Sequence, residues 1–210
     1  MTLQRIFRFG YRCLQRLIVL EGVSVLVGHV EQVSKITASD KKARMLSLES
    51  LQEHILNSEA PYCQTLVARI EERNLSCFGV ESGGHLLSFA WFHLGSAEAG
   101  MNYGRDSSTA TPILLQDNAT FVFHAYTSSD ARGKGLMSKV LGCAADSLRK
   151  SDGIKYLVAT TEIVNDSAQS AFHRAGFNKA ATYWRFGIGR WVVGKYPKPT
   201  GPILAFGDCV

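Results

Sequence analysis

Cysteine pairs, metal-ligand clusters, long apolar runs and acidic residues near the N-terminus are all scarce in this sequence, and each scarcity excludes something. The five cysteines, Cys13, Cys63, Cys77, Cys143 and Cys209, are odd in number and scattered over 210 residues. None forms a CxxC pair and no His/Cys cluster has zinc-ligand spacing, so neither a disulfide framework nor a metal site is expected. The thiols read as reduced, in a cytoplasmic protein, with Cys77 and Cys143 as core filler inside apolar runs. The longest apolar stretch, Leu17–Gly28, spans 12 residues and is broken by Glu21. A bilayer span needs about 20, and the apolar region of a signal peptide tolerates a carboxylate poorly. Acids are missing from the first twenty residues. The formal net charge of +5 owes four of its units to Arg5, Arg8, Arg12 and Arg16, and the rest of the chain is nearly neutral. A broad nucleic-acid surface would need basic residues spread over the domain, so no nucleic-acid partner is expected.

What is present fits one domain with a terminal extension, large enough to bury roughly 70% of its unfolded surface. Residues 1–20 have the pattern of a basic amphipathic helix, with arginines three, four and four apart on one face. Three readings stay open for it: a terminal helix packed on the domain, a docking face for anionic lipid or an acidic acyl carrier, and a mitochondrial presequence. Val23–Val33 is valine-rich and suits a strand, and Ile36–Arg44 reads as a loop. Two helical stretches follow, one carrying Leu48, Leu51 and Ile55 behind the N-cap candidate Ser47, the other marked by Leu66 and Ile70. Ser76–Glu81 and His85–Gly95 form a hairpin about Ser82-Gly83-Gly84. Residues 96–118 read as a long loop.

From residue 119 the pattern becomes strand, glycine turn, helix, strand, helix, hairpin. The strands are Phe121–Tyr126 and Ile154–Thr160, and Leu136–Lys150 is the helix between them. Such a unit is a right-handed crossover, which places its two strands parallel in one sheet. A short helix runs from Asn165 or Asp166 to Ala175, and Trp184 and Trp191 stand on the arms of a closing hairpin. The organisation expected is residues 1–40 as the amphipathic helix and first strand, 41–196 as the main domain and 197–210 as a tail.

The most informative segment is Arg132-Gly133-Lys134-Gly135-Leu136-Met137, at the junction of strand and long helix. Two glycines permit a sharp bend that brings main-chain amides close to a bound group. The helix starting there leaves unpaired N–H groups and a positive dipole end, a combination that binds phosphate. A P-loop is excluded because Gly135 follows Lys134 and Ser128 stands at the leading glycine. The dinucleotide fingerprint fails at Ser138.

The remaining pattern, Arg/Gln-x-x-Gly-x-Gly/Ala, resembles the cofactor loop of the GNAT (Gcn5-related N-acetyltransferase) superfamily, with Arg132 and Gly135 matching and Met137 departing at the last small position. Downstream, Asn165-x-x-Ala168-x-x-x-Phe172-x-x-x-Gly176-Phe177 is similar to the family's Asn-x-x-Ala-x-x-x-Tyr-x-x-x-Gly-Phe segment. The resemblance covers residues 119–195 well and 46–95 more loosely. It implies an α/β (α+β) GNAT fold, a mixed central sheet with splayed parallel strands and flanking helices. It also implies an enzyme that transfers an acyl group from acetyl-CoA, or another acyl-CoA, to a primary amine by direct attack on the thioester.

In that reading Arg132, Gly133, Lys134, Gly135, Leu136, Met137 and Ser138 hold the pyrophosphate. Asn165 and Phe172 flank the pantetheine arm, and the backbone at Ala125, Tyr126 and Thr127 contacts the thioester. Phe172 stands where the family often has a proton-donating tyrosine, so either another group such as Tyr126 or Tyr183 is the acid or the thiolate leaves unassisted. His124, inside the central strand, is the leading base, set against a role as a hydrogen-bonded core histidine. Glu162 is the alternative base. The acceptor is a small-molecule or peptide amine, and a dimer is compatible with the sequence. The competing functions are a catalytically weak acyl-CoA-binding module of the same fold and a membrane- or acyl-carrier-docking protein.

Overall fold

The computed structural model describes residues 11, 18–37, 43–56, 66–67, 69–70, 74–102, 104, 109–188 and 191–207. Its main sheet is built from β1 (Val19–His29), β2 (Ala43–Met45), β3 (Leu75–Ser82), β4 (His85–Leu94), β6 (Ala119–Thr127), β7 (Tyr156–Glu162), β8 (Phe177–Ile188) and β9 (Trp191–Lys195). The spatial order is β2-β3-β4-β6-β7-β1-β8-β9. The helices are α1 (Val30–Thr37), α2 (Leu48–Leu56), α3 (Leu136–Asp152) and α4 (Asp166–Arg174). A small second sheet pairs β5 (Ile113–Leu115) with β10 (Ile203–Phe206).

Period-two alternation sends side chains of each strand to opposite faces, and here both faces are covered. In β6, Phe121 and Phe123 enter one apolar cluster, with Leu51 of α2, Met101, Ile113 and Ile203. Val122, between them, enters the other, with Val30 and Val33 of α1 and the inner face of α3. That face is Met137, Val140, Leu141, Ala144, Ala145 and Leu148, a 3.6-residue stripe. Each fully buried Val or Leu contributes about 1.5–3 kcal/mol relative to exposure. α3 stops at Gly153, in the left-handed conformation at φ 65°, whose N–H bonds Leu148 O.

The crossover β6–α3–β7 makes the one parallel pair of the main sheet, as the strand–helix–strand pattern predicts. Four expectations are corrected. Val23–Val33 is not one strand: β1 ends at His29, and Val30 and Val33, three residues apart, are buried where α1 packs on α3. Burial of that stripe overrides the strand preference of valine. Ile36 ends in α1 and Arg44 lies in β2, so the segment between them is not all loop. Residues 96–118 carry a 3-10 turn at Ala99–Met101 and strand β5, held by the pair Ala97–Ile113. The second crossover strand starts two residues late, at Tyr156, which brings Glu162 inside β7.

The basic helix expected over residues 1–20 lies outside the described residues, apart from Tyr11, which is buried, Ile18, which precedes β1, and Val19 and Leu20, which belong to β1. Most of the helix expected around Leu66 and Ile70 also lies outside them. The boundary drawn at residue 40 meets no break in the sheet. β1 is hydrogen-bonded to β7 on one side and β8 on the other, and β10 ties the 197–210 segment to the domain.

Because β1 is interior, a chain beginning at residue 43 leaves facing edges of β7 and β8 unpaired and removes Val23 and Val25 from the core cluster that holds Phe121, Val158 and Tyr183. The expected outcome is loss of a cooperative thermal transition, read by circular dichroism against the full chain.

Candidate active site

The parallel ladder between β6 and β7 runs from Ala119–Tyr156 to Val122–Ala159 and ends there. Just beyond, β6 carries a bulge. Trp91 pairs with Phe123 and Phe89 with Tyr126, so Ala90 alone opposes His124 and Ala125. His124 takes φ 44°, and it is the one non-glycine residue with positive φ among the described residues. A bulge bends its strand and withdraws one residue's main-chain groups from the ladder. Each strand keeps its other neighbour: β6 stays paired with β4 as far as Thr127, and β7 with β1 as far as Glu162. Ser88 clamps the β6 end, donating to Tyr126 O (3.1 Å) and sharing a hydrogen bond with Thr127 Oγ1 (2.8 Å). The sheet therefore opens as a wedge between β6 and β7.

A cleft of about 490 Å³ occupies the α3 and α4 side of this opening. Ala125, Tyr126 and Thr127 line it from β6. Arg132, Gly133, Gly135, Leu136, Met137 and Ser138 line it from the turn and first helical residues, and Asn165 and Phe172 from α4. Every residue assigned from sequence to the cofactor is gathered here except Lys134.

Gly133 and Gly135 have φ 77° and 70°, and a Cβ at either would meet nothing within 4 Å. The left-handed backbone thus favours glycine, while the space above it is open. Gly135 caps α3 with no side-chain hydrogen bond, so the helix's first amides are left for a ligand. Arg132 is held by its Nε–H to Thr127 O (3.2 Å). Asn165 caps α4, its Oδ1 accepting from Ala168 N (3.1 Å) and Ser167 Oγ (2.9 Å). Phe172 is buried edge-on against Phe177, with ring centroids 5.0 Å apart.

A second cavity, about 340 Å³, borders the first at Asn165, which lines both. Its walls include Glu21, Asn102, Gly104, Thr160, Thr161, Glu162 and Arg185. Glu21 and Arg185 face one another across the β1–β8 ladder. They form an ion pair at 2.9 Å with both side chains at least 95% buried. Arg185 Nη1 also donates to Asn102 O, Thr109 O and Thr111 Oγ1. Removing one partner of so buried a pair costs about 3–5 kcal/mol. Asn102 joins the wall by donating to Thr111 O and accepting from Thr160 Oγ1 (2.8 Å).

The four catalytic candidates separate. Glu162 lines the second cavity and Tyr126 the first. Tyr183 lines neither: it is fully buried, its hydroxyl engaged with Asn102, and burial pushes its phenol up to about 12. His124 also lines neither cavity. Its ring leans on Phe123 at 5.3 Å, and burial holds its imidazole below the ordinary value. Tyr11, unnoticed in the sequence, accepts the Gly22 N–H at 2.7 Å and hydrogen-bonds Glu162. Its phenol is pushed up to about 12, first by burial, against the lowering effect of the Gly22 amide, and further by the charges of Glu162 and Glu21. Among the described residues no group of His, Cys, Asp and Glu could hold a metal ion, and no helix is long and apolar enough to cross a membrane.

The Acetyltransferase (GNAT) family matches residues 43–177, and the chain belongs to that family of acyl-CoA-dependent N-acetyltransferases. Among solved structures it is similar to a GCN5-related N-acetyltransferase from Kribbella flavida (14% identity, TM-score 0.51, covering 85% of this chain and 63% of that one). A GNAT acetyltransferase from Colwellia psychrerythraea is similar at 18% identity and TM-score 0.50, over 87% and 62% of the two chains. A functionally unknown conserved protein from Staphylococcus epidermidis aligns at 7% identity and TM-score 0.52, over 89% and 68%. At these identities the likeness is one of fold, and this chain spans less than two thirds of the first two proteins. No curated protein matches the sequence.

Sequence reasoning missed Arg174 in the first cleft and the Glu21–Arg185–Asn102 group in the second. Glu21 did signal itself, as the one carboxylate in an apolar run.

His124 supplies a test of its burial. Above about pH 6.5 its imidazole is neutral in both folded and unfolded chains, and stability is complete. As pH falls, the unfolded chain takes the proton first, so stability declines through the lowered folded value. His124→Asn keeps a residue that tolerates positive φ and cannot titrate. Urea midpoints at pH 7.5 and 5 should fall less for the variant than for the parent.

Proposed function

We propose that this protein transfers an acyl group, with acetyl-CoA as the donor, to the nitrogen of a primary amine by direct attack, with donor and acceptor entering from opposite sides of the wedge between β6 and β7. The observation that carries this reading is the junction of the two cavities at Asn165, one fitted for a diphosphate and an extended arm, the other lined with carboxylates. The donor fits the residues present: two left-handed glycines with open space above them, an uncapped helix start, and Arg132 and Arg174 on the walls. The first-turn amides of α3 and those arginines would hold the pyrophosphate, each helix-end contact contributing about 0.3–1 kcal/mol. Ala168, Ala171 and Phe172 give the apolar wall for the arm.

When bound, the donor supplies an activated carbonyl and a thiolate leaving group. The main chain at the Ala125 bulge, freed from the ladder, offers an amide to the carbonyl oxygen as negative charge develops there. One such donor in a dry site is worth about 3 kcal/mol. Glu162, steadied by Tyr11, takes one proton from the incoming ammonium and leaves the nitrogen lone pair free to attack. The C–N bond forms, the C–S bond breaks with its electron pair passing to sulfur, and the nitrogen gives its second proton to solvent, which in turn reprotonates the phenol that serves the sulfur. Tyr126, the phenol on the cleft wall, is placed to return a proton to the thiolate, a task Phe172 has no group to perform. The neutral imidazole of His124 serves the bulge rather than the proton path.

Two variants test this. Gly135→Asp tolerates positive φ and has room, but sets a carboxylate where phosphates would lie. Calorimetry should show acetyl-CoA affinity at least tenfold below that of Gly135→Asn, which has the same shape and no charge; equal affinities would refute the placement. Glu162→Gln should lower kcat about 10²-fold or more with acetyl-CoA affinity unchanged, measured by CoA release and by the same calorimetry.

A further inference from the structure

The second cavity has a chemical character of its own, to which Glu21, Val23 and Arg185 contribute from outside the matched residues 43–177. Glu21 comes from β1 and Arg185 from β8. Their pairing residues Val23 and Tyr183 continue the same ladder inward. Of the described side chains around the cavity only Val23 is apolar. The others are the acids Glu21 and Glu162, the carboxamides of Asn102 and Asn165, the hydroxyls of Thr160 and Thr161, and Arg185. Among the described residues, two carboxylates against one guanidinium leave the walls with an excess of one negative charge.

The guanidinium is already committed. Nη2 lies against Glu21, Nη1 donates to Asn102, Thr109 and Thr111, and Nε has no surface open to solvent. An acceptor bearing its own carboxylate would therefore meet two acids and, among the described residues, no available cation. An apolar amine would strip water from these polar walls without replacing its hydrogen bonds, which costs more than its alkyl surface returns. The backbone closes tightly over Glu21: a Cβ on Gly104 would stand 2.1 Å from both carboxylate oxygens. That approach fixes the acid at the cavity wall and keeps the space small.

We infer that this cavity, on the reading that it receives the acyl acceptor, selects a small hydrophilic amine that arrives as a cation and carries no carboxylate, such as a short diamine or amino alcohol. Glu21 acts there as a specificity-determining residue. It contributes negative charge and, through Arg185 and Asn102, the shape of the wall. Glu162 stands at the same wall to receive the proton.

The test compares 1,4-diaminobutane and ethanolamine with hexylamine, β-alanine and a short peptide with a free N-terminus. Two readouts are taken with the full chain: CoA release from acetyl-CoA, and calorimetric binding of each amine to the CoA-saturated protein. The first two amines should exceed the others at least tenfold in kcat/KM and in affinity. Glu21→Gln should raise KM for diaminobutane about tenfold, with smaller loss in kcat. Because that variant strands Arg185, the double variant Glu21→Leu/Arg185→Met removes both charges together and keeps the volume filled. It should lose diaminobutane binding and gain hexylamine. CoA release that favours hexylamine, β-alanine or the peptide, or a double variant with the parent's preference, overturns the inference and leaves the transfer reading intact. So does the absence of binding by any cationic amine in a protein that still binds CoA. Absence of acetyl-CoA binding overturns the transfer reading itself.

Discussion

One extra residue in β6 sets the geometry of everything around it. A parallel pair of strands cannot keep its hydrogen bonds and also admit a ligand between them, and the conflict is resolved at His124–Ala125, where two residues oppose one. The bend lets β6 follow β4 while β7 follows β1, so neither strand is left without a partner when they part. The opening is thus held by complete ladders on both sides rather than by a flexible gap. A residue forced to φ 44° is strained by of order 1 kcal/mol or more, and here the strain is concentrated where the main chain must leave its ladder.

The same opening explains why two unlike cavities adjoin. On one side lie the start of α3 and the flank of α4, with glycines, amides and arginines suited to phosphate. On the other lie β1, β8 and the Asn102 turn, with buried acids and hydroxyls. Asn165 borders both because α4 begins directly after β7, and its cap geometry ties the carboxamide to the junction. The lining of the first side lies entirely within the residues matched to the GNAT family. The second also takes Glu21 and Arg185 from outside the matched residues, with Tyr11 hydrogen-bonded to Glu162 behind it.

What the sequence revealed follows this division. The turn 132–137 was legible because its determinants are local: glycines, a helix start and flanking charge fall within six residues. The Asn165–Phe172 stretch is likewise one helix with its cap. The second cavity joins residues 21, 102, 162 and 185, brought together only by the strand order of the sheet, and no spacing rule connects them. The valine run failed for the opposite reason. Val30 and Val33 carry a strand-like local preference, yet the surface of α3 offers them a helical burial that the run alone does not disclose. Tyr183 and His124 illustrate a third limit. Chemistry-bearing residues inside a central apolar strand are easy to notice, but which wall they reach depends on pairing and on a bulge that no residue type announced.

The place of β1 in the sheet bears on how the molecule comes to exist. It is the earliest described strand of the chain, and both of its neighbours are encoded more than a hundred residues later. During synthesis it must therefore wait, with Val23 and Val25 exposed, until β7 and β8 have emerged. Pairings at such separation are slow and leave apolar edges open to other chains in the meantime. The acid that β1 carries and the base opposite it on β8 meet only at that closure, so the charged pocket forms after the two distant segments have found one another.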